Sequence, residues 1–181
     1  FTTLLAREAE NPDKVREYTK KIMASGQHLL SLINDILEVS KIESGKVVLS
    51  EEEFAMDDLI ASIDAIIRPM AGAKEQEFHV EIKDIRHEYL LGDETRINQV
   101  LINLLSNAVK YTQEGGSIWL RFIGLKQHSS QFERIRIEVE DNGYGMTEEY
   151  LKTIFDVFTR AENSTTNKVQ GTGLGMAITK N

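Results

Sequence analysis

The chain has 181 residues, 41% of them hydrophobic, so it can form one packed domain and a smaller element. Its formal net charge of −8 argues against nonspecific binding to DNA or RNA, which needs positive charge to displace counterions. There is no cysteine, which fits a reducing cytoplasm, and no apolar run approaches the length that spans a bilayer.

The N-terminal part predicts a helical hairpin. Residues 1–10 resemble the last turns of one helix, and a second begins where Asn11 caps it and Pro12 suits its first turn. Apolar residues then recur at helical spacing to about Glu43: Val15, Ile22, Leu29, Leu30, Leu32, Ile33, Ile36 and Leu37. Because one partner cannot cover so broad a stripe, we expect a four-helix bundle made by two chains. The alternative is that the stripe packs on the following domain.

The rest of the chain predicts an α+β fold. Gly45 ends the second helix, and strand and helix patterns then mix without strict alternation. Strands are predicted at residues 47–49, 78–82, 117–123 and 135–139, and a loop through 91–93. Helices are predicted at residues 54–70, at residues 97–109 with Asp93 or Thr95 opening the helix, and at residues 174–178, while residues 150–158 form a short helix and its exit. The strands are amphipathic, so we expect a two-layer sandwich: a mixed, mostly antiparallel sheet with helices on one face.

Asp141 follows an alternating strand and begins a glycine turn at residues 141–146. A buried carboxylate there would accept a hydrogen bond from the exocyclic amine of adenine and reject guanine, which presents a carbonyl. Gly143 and Gly145 permit unusual backbone angles and let a ring lie close to the main chain. Taken alone, this pattern is more typical of an ordinary Asp-Asn-Gly turn.

The helix upstream carries Asn103, Asn107 and Lys110 on one face. The amide oxygen of Asn107 suits Mg²⁺, Lys110 suits a phosphate, and Tyr111 can stack on a base or ribose. The alternative is a buried asparagine with a capping role and a surface lysine.

Gly171-Thr172-Gly173-Leu174-Gly175 leads directly into a helix, where backbone N–H groups and the helix dipole attract anions. The stretch lacks the Gly-Lys-Ser/Thr of a P-loop and no strand precedes it, so neither that fold nor a Rossmann domain fits. The three stretches together predict a site for a purine nucleotide with its triphosphate and a metal ion.

These stretches resemble the sequence boxes of bacterial sensor histidine kinases, within the wider ATPase group of gyrase, MutL proteins and heat-shock chaperones. Residues 103–112 resemble the asparagine box, residues 141–146 the first glycine box and residues 171–175 the second. Residues 155–158 resemble the phenylalanine box, and residues 1–45 resemble the rest of a dimerisation hairpin.

The resemblance implies residues 1–45 as a partial dimerisation and histidine-phosphotransfer hairpin, and residues 46–181 as a catalytic ATP-binding domain. It implies ATP and Mg²⁺ as cofactors, a homodimer through the hairpin, and transfer of the γ-phosphoryl group to a histidine and then to a response-regulator aspartate. We expect no binding to nucleic acid. We expect contact with a membrane only through segments outside this chain. The expected location is the cytoplasm, including the cytoplasmic portion of a membrane-bound sensor.

The resemblance also assigns residues to the nucleotide. Those implied are Asn103, Asn107, Lys110, Tyr111, Asp141, Gly143, Gly145, Arg160, Gly171, Thr172, Gly173, Leu174 and Gly175. Asn107 would ligate Mg²⁺, and residues 159–170 would form the ATP lid. Hydrolytic relatives carry a glutamate as general base where this chain has Asn103, an amide that cannot usefully take a proton.

The acceptor histidine and its acidic neighbour are missing from this sequence, and we expect them upstream of Phe1, in a longer protein. We also expect the closing strands of the family beyond Asn181. The four histidines are no substitute and form no metal cluster: His28, His79, His87 and His128.

Two other functions remain open from the sequence. One is a non-catalytic ATP-binding sensor or dimerisation scaffold of the same fold. The other is an ATPase of the same superfold. Asn103 argues against an ATPase, because an amide is a poor general base for activating water.

Overall fold

A computed structural model of the chain describes residues 1–125, 134–159 and 173–180. The chain divides into two compact units, Phe1–Lys46 and Val47–Asn181. Each unit is described by itself below.

The first unit is helical, as its periodicity predicts. Helix α1 spans Thr2–Arg7, and helix α2 spans Pro12–Glu43. The side chain of Asn11 accepts hydrogen bonds from the backbone N–H groups of Asp13 and Lys14, both at 3.2 Å, so the predicted cap is confirmed. Gly45 adopts φ +65°, the left-handed conformation that ends helices.

The apolar stripe of α2 is open in the single chain. Its exposed members are Leu29, Leu30, Ile33, Ile36 and Leu37, at 45–58% relative exposure. Contiguous apolar surface of this kind marks a site of association.

The second unit contains the remaining elements. In chain order they are β1 (Glu52–Ala55), α3 (Met56–Gly72), β2 (Glu77–Lys83), β3 (Tyr89–Gly92), α4 (Glu94–Tyr111), β4 (Ser117–Leu125), β5 (Arg134–Asp141), α5 (Glu148–Thr153) and α6 (Gly175–Lys180).

The main sheet has the order β2–β4–β5, with β2 parallel to β4 and β4 antiparallel to β5. A separate pair, β1 and β3, is antiparallel. The expected mixed and mostly antiparallel arrangement is confirmed. The parallel pair arises because the chain between β2 and β4 crosses over through α4, as parallel strands require.

Helices α3 and α4 cover one face of the main sheet. The buried core lies between them and the inward residues of the strands, and includes Leu59, Ile63, Ile67, Leu101, Leu105, Ile118, Leu120 and Phe122. On β4 the buried positions 118, 120 and 122 alternate with outward Trp119 and Arg121, as a half-buried strand requires.

Two local predictions are wrong. Residues 47–49 form no strand, and Val48 is 87% exposed; the first strand begins at Glu52 and takes in Phe54, which the pattern placed in the helix. Residues 91 and 92 were predicted as loop but end strand β3. Both strands are four residues long, so pairing with each other, rather than local periodicity, defines them.

Among the described residues, no helix combines the length and apolar character needed to cross a bilayer.

Candidate functional site

Helix α4 presents a half-buried polar face beside its buried one. Asp93 caps its start, because the Asp93 side chain accepts from the backbone N–H of Arg96 at 3.0 Å. Asn103, Asn107 and Lys110 are half-buried, while Leu101, Leu105, Ala108 and Val109 are buried in the core. The core residues fix the rotation of the helix, and the polar triad is thereby held in one orientation.

Strand β5 delivers Asp141 to the helix-covered side of the sheet. Asp141 lies opposite Ile118 in the register of β4 and β5, and Val139 lies opposite Leu120. Since both partners are buried on the inward face, Asp141 belongs to that face too.

The predicted burial of the Asp141 carboxylate is wrong, because the residue is exposed. In the part of the chain that the structure describes, strand β5 is at the edge of its sheet, and Asp141 is the last residue of β5. Its Oδ1 atom accepts a hydrogen bond from the backbone N–H of Gly143 at 2.9 Å. Its Oδ2 atom has no hydrogen bond to the part of the chain that the structure describes.

The glycine turn is docked on the C-terminal end of α4. The backbone N–H of Tyr144 donates to the carbonyl oxygen of Tyr111 at 3.2 Å. A Cβ atom at Gly143 would lie 2.5 Å from that same oxygen and 2.8 Å from Asp141 Oδ1, so only glycine fits. Gly145 has φ +67°, the left-handed region that glycine adopts at low cost.

Asn142 fixes the other side of the turn, a role that the sequence reasoning missed. Its side-chain oxygen accepts from the backbone N–H of Ser117 at 2.8 Å, and its own N–H donates to the Ser117 carbonyl at 3.3 Å. The signal available in the sequence was an asparagine in a turn, where such side chains bond to nearby backbone.

Lys110 and Tyr111 contact each other at the end of the helix. The Lys110 ammonium lies over the Tyr111 ring, with Nζ 4.9 Å from the ring centroid. Both residues are half-buried. The structure therefore brings these two predicted residues together with Asp141, since Tyr111 also holds the glycine turn through its carbonyl.

The second glycine stretch meets the same helix at Asn103. Asn103 Nδ2 donates a long hydrogen bond of 3.5 Å to the carbonyl oxygen of Gly175, the first residue of α6. A Cβ atom at Gly175 would lie 3.6 Å from Asn103 Cγ, so the Asn103 side chain is in van der Waals reach of this glycine. Leu174 is 1% exposed, so its side chain anchors the stretch in the core and is not open to a ligand.

Position 173 must be a glycine for two reasons. It has φ +72°, and a Cβ atom there would lie 2.9 Å from the backbone carbon of Phe158. The Gly173 carbonyl accepts from the N–H of Phe158 at 3.1 Å. Arg160, Gly171, Thr172 and most of the expected lid lie outside the described residues.

Asn107 is the predicted metal ligand. Its amide is half-buried and has no hydrogen bond to any described residue, and it lies one helical turn from both Asn103 and Lys110. Within the described residues there is no group of three His, Cys, Asp or Glu side chains that could hold a metal without help. Oxygen donors from a phosphorylated ligand would have to complete the coordination.

Lys74 and Gln76 also reach this helix end, and sequence reasoning missed both. Lys74 Nζ donates to three backbone carbonyls at residues 109, 110 and 112, and Gln76 Nε2 donates to those at residues 109, 112 and 113. Nothing in the local pattern reveals this, because the partners are more than 30 positions away.

Two protein-family models match the chain, one at each end. A family model described as "Histidine kinase-, DNA gyrase B-, and HSP90-like ATPase" matches residues 92–181. A second, described as "His Kinase A (phospho-acceptor) domain", matches residues 1–45.

Curated relatives align with nearly the whole length of this chain. The chain is 38% identical over 176 residues to the autoinducer 2 sensor kinase/phosphatase LuxQ of Vibrio cholerae, covering 97% of this chain and 20% of that protein. It is 38% identical over 180 residues to the sensor protein GacS of Pseudomonas syringae, covering 99% of this chain and 20% of that protein. The chain thus spans about one fifth of the length of these relatives.

Solved structures show the same fold. Full-length ShkA in complex with AMPPNP superposes with a TM-score of 0.72 at 31% identity, covering 90% of this chain and 32% of that one. The histidine kinase ThkA in complex with the response regulator TrrA gives a TM-score of 0.62 at 26% identity, covering 88% of this chain and 45% of that one.

Proposed function

This chain belongs to the histidine kinase family, and we propose that it is the ATP-binding catalytic part of a two-component sensor kinase. Residues 46–181 form the catalytic domain in this proposal, and residues 1–45 form part of the dimerisation hairpin. The name of LuxQ as a sensor kinase and the complex of ThkA with a response regulator support this assignment.

The reaction is phosphoryl transfer from ATP to a histidine outside this chain. A histidine ring nitrogen attacks the γ-phosphorus, the P–N bond forms, and the bond from that phosphorus to the bridging oxygen of ADP breaks. The attacking nitrogen is the unprotonated one of the neutral imidazole, and the proton on the other ring nitrogen is released to solvent as the P–N bond forms. A response-regulator aspartate then accepts the phosphoryl group from the histidine.

Asp141 is the residue that selects adenine. Because Oδ1 is already engaged by the Gly143 N–H, Oδ2 is the oxygen that accepts from the adenine amine. The exposed position of Asp141 supports this role, since a ligand must reach the carboxylate. A Cβ position at Gly145 has nothing within 4 Å, so this glycine leaves room for the base against the backbone, while Gly143 lets the turn pack closely on Tyr111.

Asn107 and Lys110 serve the phosphates. The open amide of Asn107 suits Mg²⁺, which when bound supplies positive charge to the β- and γ-phosphate oxygens. Lys110 adds a second cation one turn further along α4, with its ammonium beside the Tyr111 ring. The second glycine stretch, from Gly171 to Gly175, and Arg160 complete the phosphate contacts in this proposal.

Asn103 disfavours attack by water. Its amide donates to the Gly175 carbonyl, a role that an ionised glutamate cannot fill because a carboxylate only accepts. No general base for water therefore stands at this position, and the phosphoryl group is reserved for the histidine.

The observation that carries the proposal is the docking of the Asp141 turn onto the end of α4. This docking places the carboxylate proposed to bind the purine beside the helix that carries the amides and the lysine proposed to bind the phosphates. Two such chains associate through the α2 stripe, and we place the protein in the cytoplasm, where its ATP and response regulator are found.

The test is nucleotide binding followed by transfer. We expect calorimetry with Mg²⁺ present to show ATP binding and much weaker GTP binding. Asp141→Asn should weaken ATP binding by about 30-fold and abolish discrimination, because its NH₂ would oppose the adenine amine (about 2 kcal/mol). Glu140→Gln, one residue earlier on the opposite face of β5, is the matched control and should bind as the wild type does.

Transfer is then measured with labelled ATP and a separate helical hairpin that carries a histidine. Label on the hairpin supports the kinase. Nucleotide binding without any transfer would favour the non-catalytic sensor instead, and steady phosphate release without transfer would favour an ATPase.

A further inference from the structure

We infer that Lys74 and Gln76 are positioning residues for the adenine-binding turn, acting through the C-terminal carbonyls of α4. The inference rests on the proposed function, because it concerns the same site. Neither side chain is placed in contact with the nucleotide.

The argument starts from the hydrogen bonds that an α-helix leaves unmade. The last carbonyls of a helix have no partner within it and need donors from elsewhere. In α4 the Ala108 carbonyl still receives the Thr112 N–H at 2.9 Å. The next four carbonyls, at residues 109–112, require outside donors.

Lys74 and Gln76 satisfy three of these four carbonyls. Lys74 Nζ lies 2.7 Å from the oxygen of Val109, 3.2 Å from that of Lys110 and 2.9 Å from that of Thr112. Gln76 Nε2 lies 3.1 Å from the oxygen of Val109 and 2.7 Å from that of Thr112. A positive charge here is also favourable towards the negative end of the helix dipole.

The remaining carbonyl is that of Tyr111, and it is the one that holds the glycine turn. It receives the Tyr144 N–H at 3.2 Å, and Gly143 lies directly against it. The four carbonyls are thus shared between two capping side chains and the turn that carries Asp141. The position of Asp141 therefore depends on the last turn of α4 being held in place.

The segment that carries the two capping residues is itself constrained. Glu75, between them, has φ +55°, a left-handed conformation that is unfavourable for a residue with a side chain. The Lys74 carbonyl accepts from the Gly115 N–H at 3.3 Å, and the Glu77 N–H donates to the Gly116 carbonyl at 2.9 Å. The left-handed residue belongs to the turn that ends α3, in which the Gln76 N–H donates to the Ala71 carbonyl at 3.0 Å, and the side chains on either side of it both reach the end of α4.

The burial of Gln76 keeps its side-chain amide in contact with these carbonyls. Gln76 is 7% exposed, and its Nε2 reaches a third carbonyl, that of Gln113, at 3.3 Å. The two N–H bonds of this buried amide are shared among the three carbonyls, and they tie the α3–β2 connection to the α4–β4 connection.

The test uses Lys74→Met in the whole 181-residue chain, since methionine keeps the length and loses the charge and the donors. We expect the affinity for ATP with Mg²⁺ to fall by about tenfold. We also expect hydrogen exchange of the Tyr144 amide to accelerate relative to that of the Leu120 amide, which reports global opening from the centre of β4. Lys83→Met, an exposed lysine of the same domain, should change neither quantity.

A core variant separates positioning from general stability. Ile63→Val, studied at a temperature where its unfolded fraction matches that of Lys74→Met, should keep both the ATP affinity of the folded protein and the Tyr144-to-Leu120 exchange ratio. Should Lys74→Met not fold, Gln76→Met is measured in the same way, because Lys74 then still caps the helix.

The inference is overturned if Lys74→Met melts earlier but keeps the wild-type affinity and exchange ratio, or if the core variant loses as much affinity. Should the wild type bind no ATP, the proposed function fails, but the exchange ratio in the free protein still decides the positioning role.

Discussion

A Cβ atom at Gly143 would lie 2.5 Å from the carbonyl oxygen of Tyr111. The backbone of the first glycine turn is therefore in direct contact with the backbone at the end of α4, although Tyr111 and Gly143 are 32 positions apart in the sequence. The contact leaves no room for a side chain, and it places Asp141 at a fixed distance from the helix that carries Asn103, Asn107 and Lys110.

Gly143→Ala should displace the turn. The added carbon meets main-chain atoms that cannot rotate away, so we expect a loss of about 1–3 kcal/mol in the free energy of unfolding and at least tenfold weaker ATP binding. Calorimetry and chemical denaturation measure the two effects. Gly72→Ala, near the end of α3 with open space around it, is the control and should be neutral or slightly stabilising. Equal ATP affinity in Gly143→Ala and wild type would show that the close contact is dispensable.

Asn107→Ala should remove the metal dependence of binding. Without the amide oxygen, Mg²⁺ loses its protein ligand, and we expect the gain in ATP affinity on adding Mg²⁺ to shrink by about tenfold or more. A magnesium titration followed by calorimetry measures this gain. The control is Asn98→Ala, which lies on α4 but whose Nδ2 bonds to Ser62 Oγ at 3.0 Å in another region. An unchanged magnesium response in Asn107→Ala would exclude Asn107 as the ligand.

Asn103→Glu should weaken the packing of α6 on α4. The carboxylate would face the Gly175 carbonyl with no donor between them, so we expect a loss of about 1–3 kcal/mol in stability. Thermal melting measures it, and Asn103→Gln, which keeps a donor, provides the comparison. A glutamate variant as stable as wild type would show that the 3.5 Å hydrogen bond contributes nothing.

Ile33→Lys should prevent association of the hairpin. Ile33 is 45% exposed in the single chain, so the change costs the isolated chain little but puts a charge into the proposed interface. Sedimentation equilibrium should give the mass of two chains for the wild type and of one chain for the variant. Ser31→Lys, on the opposite side of α2, should remain dimeric; a dimer that survives Ile33→Lys would place the interface elsewhere.

Asp64→Asn should lower stability in a pH-dependent way. The Arg68 guanidinium donates to both carboxylate oxygens of Asp64 and holds the pKa of that carboxyl below its ordinary value of 3.8. A lowered pKa in the folded state means that the pair stabilises above pH 3.8 and loses this effect as the pH falls through the lower, folded value. Because Asp64 is one third exposed and Arg68 more so, we expect only about 0.5 kcal/mol at pH 7. Denaturation at pH 7 and near pH 2 should show a difference from wild type at the first pH alone.

The local elements were readable from the sequence. Helical spacing predicted α2 and α4, the cap at Asn11 was recognisable by residue type, and alternation along β5 placed Asp141 at a strand end. These features depend on neighbours within a few positions, where side-chain chemistry and backbone preference act directly. The spacing of polar residues on α4 likewise needs no partner to be seen.

The tertiary structure decided the rest. Only the folded chain showed that Asp141 is exposed at a sheet edge, that β2 runs parallel to β4, and that β1 and β3 pair as a separate ribbon. The same holds for Lys74 and Gln76, whose carbonyl partners lie 33 to 38 positions away. A backbone carbonyl is the same group in every residue, so no sequence pattern marks which one a distant side chain will reach; packing of α3 and α4 on the sheet makes that choice.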